Sequence, residues 1–178
     1  METYQENFKR YEKKYMLKTE QYKKLREELN KRMEEDQYGL HTICNIYYDT
    51  PDFQMIRQFL EKPVYKEKLR LRSYGIPEKK DDVFLEIKKK FKGIVYKRRV
   101  SLSDEKAMKY LESGIPTGIS SQIMDEIDWA LHRYESLQPA AYIAYDRVAL
   151  FQKENPDLRV TFDQKIRFRT ENFDLCKG

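Results

Sequence analysis

Apolar positions along the chain recur with two spacings, and each spacing predicts its own kind of element. In Tyr65–Tyr74 every second residue is cationic while Leu69 and Leu71 fall between them, the period-two signature of a half-buried strand. The same alternation predicts strands over 42–48, 64–74, 83–91, 94–102, 140–151 and 158–168, and an aromatic-containing strand over Phe8–Met16. Helical spacing takes over after Thr19, read as an N-cap, where Tyr22, Leu25, Leu29 and Met33 share one face of a helix running to about Glu35. Thr50-Pro51 opens a short helix with Phe53, Ile56 and Leu60 as its apolar stripe, closed by Pro63. Ser103 caps a helix to Ser113, and Ile123, Ile127, Leu131 and Tyr134 mark another over 119–137. Lys92-Gly93 joins two strands in a hairpin, and segments 75–82, 114–118 and 154–157 carry the Gly, Pro, Asn and Asp of connections. About seven strands with helices among them predict an α+β fold. No repeat, linker or low-complexity stretch divides residues 1–178, so they are read as a single domain.

Charge changes this picture more than size does. The net charge of +5 is the small difference between 35 basic and 30 acidic residues, so placement matters more than the sum. Tyr, Phe, Ile, Leu and Val recur throughout the 178 residues, which argues against disorder. No apolar run reaches the ~18–20 residues of a membrane span, and the first residues lack the apolar stretch of a signal peptide. Cys44 and Cys176 are far apart and His41 and His132 form no cluster with them, so the chain reads as cytoplasmic and without a zinc-finger site.

The placement is one-sided. One face of the strand over 64–74 carries Lys66, Lys68, Arg70 and Arg72, and the other Glu67, Leu69, Leu71 and Ser73. In 83–91 one face carries Glu86, Lys88 and Lys90; in 94–102 Lys97 and Arg99 share a face with Val95. The first strand places Arg10, Glu12 and Lys14 on one side, Arg147 falls with Tyr145 and Ala149, and Arg159 with Thr161 and Asp163. A wet sheet face normally mixes signs, because like charges opposite one another cost up to ~1 kcal/mol per pair. Rows of cations on several strands point instead to a shared cavity for a polyanion. Phosphate suits it, since arginine forks grip its oxygens and lysine adds point charge. Tyr11, Tyr15, Tyr65 and Tyr96 fall on the opposite faces and there is no basic recognition helix, so nucleic acid is not the expected partner. Asp125, Glu126 and Asp128 read as surface charge, His132 as a surface helix residue and Trp129 as packing on the sheet exterior.

Six fragments in order carry a resemblance: Arg10-Tyr-Glu-Lys-Lys14-Tyr15, Ile46-Tyr-Tyr-Asp-Thr50, Lys68-Leu-Arg70-Leu-Arg72-Ser-Tyr-Gly75, Phe84-Leu-Glu86-Ile-Lys88, Val95-Tyr-Lys97-Arg-Arg99, and Tyr145-Asp-Arg147 with Leu158-Arg159-Val-Thr-Phe-Asp163. Together they resemble the polyphosphate polymerase (VTC) domain of the vacuolar transporter chaperone family and its bacterial relatives. That family belongs to the CYTH-like triphosphate tunnel metalloenzymes. The resemblance implies an antiparallel β-barrel tunnel flanked by helices, with the mixed-sign helix after Thr19 covering one end or side. It implies transfer of the γ-phosphoryl of ATP to a growing polyphosphate chain, with Lys14, Arg70, Arg72, Lys88, Lys97, Arg147 and Arg159 binding the phosphates. Arg10, Glu12, Lys68, Glu86, Lys90 and Arg99 would be further tunnel residues. It also implies a divalent cofactor, Mn²⁺ or Mg²⁺. The wider superfamily opens with Glu-x-Glu-x-Lys where this chain has Arg10-x-Glu12-x-Lys14, which suits the polymerase branch. The family's last strands and metal-binding glutamate are expected beyond Gly178, and Glu12 and Glu86 are the inward carboxylates left as candidate ligands. The same cations equally suit a tripolyphosphatase or nucleoside triphosphatase, or a non-catalytic polyphosphate-binding module. A membrane partner for the product stays open.

Overall fold

A computed structural model describes residues 7–61 and 63–178, with the first strand, Asn7–Arg10, described by its backbone alone. In chain order the elements are β1 (Asn7–Arg10), α1 (Thr19–Asn30), β2 (Met33–Glu35), β3 (His41–Asp49), α2 (Gln54–Leu60), β4 (Tyr65–Tyr74), β5 (Asp82–Phe91), β6 (Ile94–Ser103), α3 (Asp104–Ser113), α4 (Gln122–Arg133), β7 (Gln138–Gln152) and β8 (Arg159–Arg169), before a short 3₁₀ turn at Leu175–Lys177. The eight strands form one antiparallel sheet in the order β1-β6-β5-β4-β3-β7. β8 lies on the far edge of β7, and β2 pairs with the end of β7 that β3 does not reach. Among the described residues β1, β2 and β8 each pair with one neighbour and no ladder joins β1 to β8, so the sheet is a curled half-barrel flanked by four helices.

Alternation sorts the two faces as the sequence predicts. Ile46, Leu69, Leu71, Leu85, Ile87, Val100 and Leu102 turn to one side and are buried under α3 and α4, against Ala107, Tyr110, Ile123, Ile127 and Ala130. Further along the sheet Val148, Leu150 and Phe162 pack with Met33 beneath Tyr22 and Leu29 of α1. The cations occupy the opposite face. Its register is set by the β5–β6 hairpin, where Lys92 and Gly93 take the two positive φ values, 46° and 85°, that a tight two-residue turn requires.

Several boundaries differ from the sequence expectation, each for a tertiary reason. The first strand stops at Arg10 because its ladder runs antiparallel to β6, from Asn7–Arg98 to Arg10–Val95, and β6 is exhausted at the hairpin. Residues 11–18 therefore form no ladder. The helix expected to Glu35 ends at Asn30, and Met33–Glu35 becomes a strand because it pairs with Gln152–Leu150 while Met33 stays in the same apolar cluster. The helix expected over 119–137 is Gln122–Arg133, started by Ser121, whose hydroxyl accepts from Met124 N at 3.2 Å.

The α2 stripe is also corrected: Phe53, Ile56 and Leu60 are exposed and Met55 is the buried residue. The reason is Asp49, whose carboxylate accepts from the backbone N–H of Thr50, Met55 and Ile56. Those bonds fix the helix rotation with Met55 inward, and Phe53 takes φ 60° to enter it.

Leu71→Ala should lower the unfolding free energy by about 3 kcal/mol, read from urea denaturation midpoints. A loss below about 1 kcal/mol would mean that the helices do not seat on this face.

Candidate functional site

Strand pairing places the cations of β4 to β6, with polar side chains of β3, in rows that run across the sheet. Tyr47, Arg70, Glu86 and Arg99 are successive cross-strand partners, as are Asn45, Arg72 and Phe84. One step along, Lys68, Lys88 and Lys97 stand directly opposite one another on three neighbouring strands, and Lys66 faces Lys90 in the row beyond.

Glu86 is the centre of this arrangement. Its side chain is 0 % exposed; one oxygen lies 2.5 Å from Arg70 Nη2 and 3.8 Å from Arg72 Nε, the other 3.3 Å from Lys97 Nζ and 3.9 Å from Arg99 Nη1. Burial alone would raise its pKa, but Arg70, Arg72 and Lys97 outweigh that and hold it well below the usual carboxylate range. The arginines are braced a second time. Arg70 donates to the Tyr47 hydroxyl at 3.0 Å, Arg72 to Asn45 Oδ1 at 2.9 Å and the Tyr145 hydroxyl at 3.1 Å, and Arg99 to the Tyr74 hydroxyl at 3.2 Å. Asn45 is itself held by donating to Ile143 C=O at 2.9 Å, and the Arg99 guanidinium lies 4.3 Å from the Phe84 ring centre. Burial and the charges of Arg70, Arg72 and Lys68 meet at Tyr47: burial raises its pKa, and the cations together bring it below the ordinary phenol value.

The lysines lie close to one another and to the arginines. Burial lowers the pKa of Lys97, Glu86 raises it, and Arg72, Arg99 and Arg70 push it down again, to about 8. Burial, with Lys88, Lys14 and Lys66, likewise lowers Lys68, partly offset by Tyr47. Glu12 reaches Lys88 at 2.6 Å; its burial is outweighed by Lys88, Lys14 and Arg147, and its pKa falls. Arg147 is gripped by both oxygens of Asp163, at 2.6 and 2.8 Å, and feels the opposing charge of Arg70.

Of the residues singled out in the sequence, Arg70, Arg72, Lys97 and Arg99 converge on Glu86. Lys68 and Lys88 form the adjoining row, Lys90 continues toward the hairpin, and Glu12 draws Lys14, Lys88 and Arg147 into one field. Arg159 does not join them: it is exposed at the start of β8, opposite Phe151 and about 13 Å along the strand from Asp163. Arg10 is opposite Val95 in the ladder, and its side chain lies outside the described residues. The bracing residues Asn45, Tyr47, Tyr74 and Tyr145 were not anticipated. Alternation through Asn45-Ile-Tyr47 would have placed the first two together. Tyrosines do share the cationic face, but with their hydroxyls engaged by arginine.

On the opposite face Glu126 is paired with Lys89 and Arg98, and Asp128 accepts from the Tyr110 hydroxyl, so neither is free surface charge. Trp129 is half exposed beside Arg133, and lines with Tyr65 and Lys89 a shallow concavity of about 380 Å³ remote from the cations. His132, exposed, contacts the Asp128 carbonyl at 2.7 Å.

A divalent ion needs hard oxygen donors that are free to turn toward it. Glu86 is enclosed by four cations and Glu12 is held by Lys88. Among the described residues no group of three or more His, Cys, Asp or Glu side chains is arranged for a metal. The described residues do not fit the implied ion. No helix among the described residues is long and apolar enough to cross a membrane.

The domain is a curled antiparallel half-barrel with flanking helices and a cation-lined face. A solved structure similar to it is that of a "putative adenylate cyclase" from Bacillus halodurans, 16 % identical, with a TM-score of 0.52 over 89 % of this chain and 79 % of that one. No curated protein sequence matches the chain significantly. The VTC domain family model matches residues 9–177, and the chain belongs to that family. The family sits among the triphosphate-tunnel phosphotransferases and hydrolases.

Lys97 gives a test of the electrostatics. Its pKa of about 8 when folded lies below its ordinary 10.5, so between these values the unfolded chain binds more protons and stability rises with pH. Lys97→Met should flatten that segment of a plot of urea midpoint against pH. An unchanged slope would show that Lys97 is not crowded by its neighbours.

Proposed function

We propose that residues 1–178 form one VTC-like tunnel domain, C-terminally incomplete, of a polyphosphate polymerase-type phosphotransferase that passes the γ-phosphoryl of ATP to a growing phosphate chain on the cationic face. The observation that carries the reading is the Lys68–Lys88–Lys97 row beside the Arg70–Glu86–Arg99 row. Directly opposed like charges destabilise a sheet. A polyanion lying across the rows would remove that cost, and a chain of phosphoryl groups supplies charge at intervals short enough to meet successive rows.

Phosphoryl transfer asks the protein chiefly for alignment and charge neutralisation. The bond from the γ-phosphorus to the β–γ bridging oxygen breaks as a terminal oxygen of the chain bonds to that phosphorus, and ADP leaves with the electron pair. The braced arginines are suited to hold the non-bridging oxygens of the triphosphate in fixed directions. The lysines, on flexible stems, are suited to a chain that must shift by one residue after each transfer. ATP as donor and two free cysteines fit a cytoplasmic setting. VTC family membership and the tunnel fold support a triphosphate substrate; the choice of polymerase rests on the Arg10-x-Glu12-x-Lys14 opening and the resemblance it carries.

Incubation with ATP, a short polyphosphate primer and Mn²⁺ or Mg²⁺, followed by sizing on a denaturing gel, should show lengthening chains with equimolar ADP. Release of orthophosphate without lengthening would make the protein a hydrolase, and tight binding with no turnover a binding module. Lys68→Ala with Lys88→Ala should weaken tripolyphosphate binding by tenfold or more, and should reduce its salt dependence. Unchanged calorimetric affinity would remove the lysine row from the site.

A further inference from the structure

Three carboxylates lie among the cations of this face, and they are built differently. The Glu12 side chain is 42 % exposed and grips one lysine, and that of Asp163 is 32 % exposed and grips one arginine. Both are edge groups that an incoming anion could displace from Lys88 and Arg147. Glu86 is inaccessible, lies on the central strand of the three that carry the rows, and is within 4 Å of cations on both neighbouring strands. Removing it would leave Arg70, Arg72, Lys97 and Arg99 buried side by side without a shared counter-charge.

On the reading that the face binds a phosphate chain, we infer that Glu86 is a positioning residue that stays in place when the chain binds. Its two oxygens hold the guanidinium groups of Arg70, Arg72 and Arg99 and the Lys97 ammonium as one pre-formed receptor. The geometry supports the permanence of the contact. Arg70 directs both Nε, at 2.6 Å, and Nη2, at 2.5 Å, onto the same Glu86 oxygen while Nη1 is turned to Tyr47. The Arg70 fork is thus locked on both sides. Arg72 is locked by Asn45 and Tyr145, with Glu86 behind it. A receptor so fixed loses little side-chain entropy on binding, and its specificity comes from where its remaining N–H groups point.

The sign of one substitution separates positioning from simple charge. Were Glu86 only a negative charge near the site, Glu86→Gln would remove a repulsion and tighten tripolyphosphate binding. As a positioning residue its loss should weaken binding at least tenfold, because the cations spread apart. Glu12→Gln and Asp163→Asn, which free Lys88 and Arg147, should leave affinity unchanged or improve it.

The experiment is calorimetric titration of the whole chain with tripolyphosphate at fixed ionic strength across pH 6–9. Lys97 adds a readout that a general loss of structure would not move. Among the described residues the charged groups around it include Glu86 and Lys88 on β5, Arg70 and Arg72 on β4 and Arg99 on β6, and of these Glu86 is the one that sustains its proton. In Glu86→Gln the alkaline fall in affinity should therefore move down by about one pH unit, and adding Lys97→Arg should abolish it. If Glu86→Gln does not fold, Glu86→Asp keeps the charge but shortens the reach, and should still lose tenfold with its circular dichroism intact. Wild-type or tighter binding by a folded Glu86 variant, or an unmoved pH limb, overturns the inference while leaving the phosphate reading in place. Absence of tripolyphosphate binding by the unsubstituted protein overturns both.

Discussion

The organisation of this domain depends on how positive charges on adjacent strands are kept together. Strand pairing leaves no freedom in the matter: once β4, β5 and β6 adopt their register, Lys68, Lys88 and Lys97 are opposite one another, and Arg70 and Arg99 flank a single position on β5. With Glu86 at that position the central row holds one anion between cations. The neighbouring row has no carboxylate on its own strand positions; Glu12 reaches Lys88 and Glu86 reaches Lys97, and burial, ahead of the neighbouring cations, lowers the pKa of Lys97 and Lys68. The apolar face enforces this register, because a slip of one residue would turn Leu69, Leu71, Leu85 and Ile87 out of the core and the cations into it. The hydrophobic face therefore sets the electrostatic problem that the polar face has to solve.

Much of that could be read in the sequence because it follows from period two. The face assignments of 66–72, 86–90 and 97–99 needed only alternation and agree with the observed rows. The length of the first strand could not be read, since it depends on where β6 ends, and neither could the change from helix to strand at Met33, which is decided by pairing with Leu150–Gln152 some 120 residues away. The α2 stripe misled for a related reason. Phe53, Ile56 and Leu60 have helical spacing, but the rotation of the helix is set by the Asp49 carboxylate from outside it, and spacing alone does not say which stripe is buried.

Within the site the sequence made the cations visible and hid what holds them. Arg70, Arg72, Lys88 and Lys97 stand out as charge patterns within single strands, whereas Asn45, Tyr47, Tyr74 and Tyr145 matter only as cross-strand partners of arginine. Arg159 illustrates the converse. It has the right residue type and the right parity, yet lies some 13 Å down β8, because parity fixes a face and not a position along it.

The two kinds of cation divide the face into regions with different physical characters. The arginines are buried, doubly bonded and aligned, so they favour one arrangement of oxygens and penalise others. Lys68, Lys88 and Lys90 are more open, with Lys88 borrowed by Glu12. Their attraction depends on proximity more than direction, and is easily exchanged from one phosphoryl group to the next. On the proposed polymerase reading, aligning one reacting group while letting a polymer advance needs both characters side by side. A uniform lining of arginine would hold the product in register, and a uniform lining of lysine would leave the reacting phosphate unoriented. The boundary between them is the step from the Glu86 row to the Lys88 row, two residues along β5. It exists because the buried carboxylate sits within the arginine row and reaches the next one at its edge, through Lys97 at 3.3 Å.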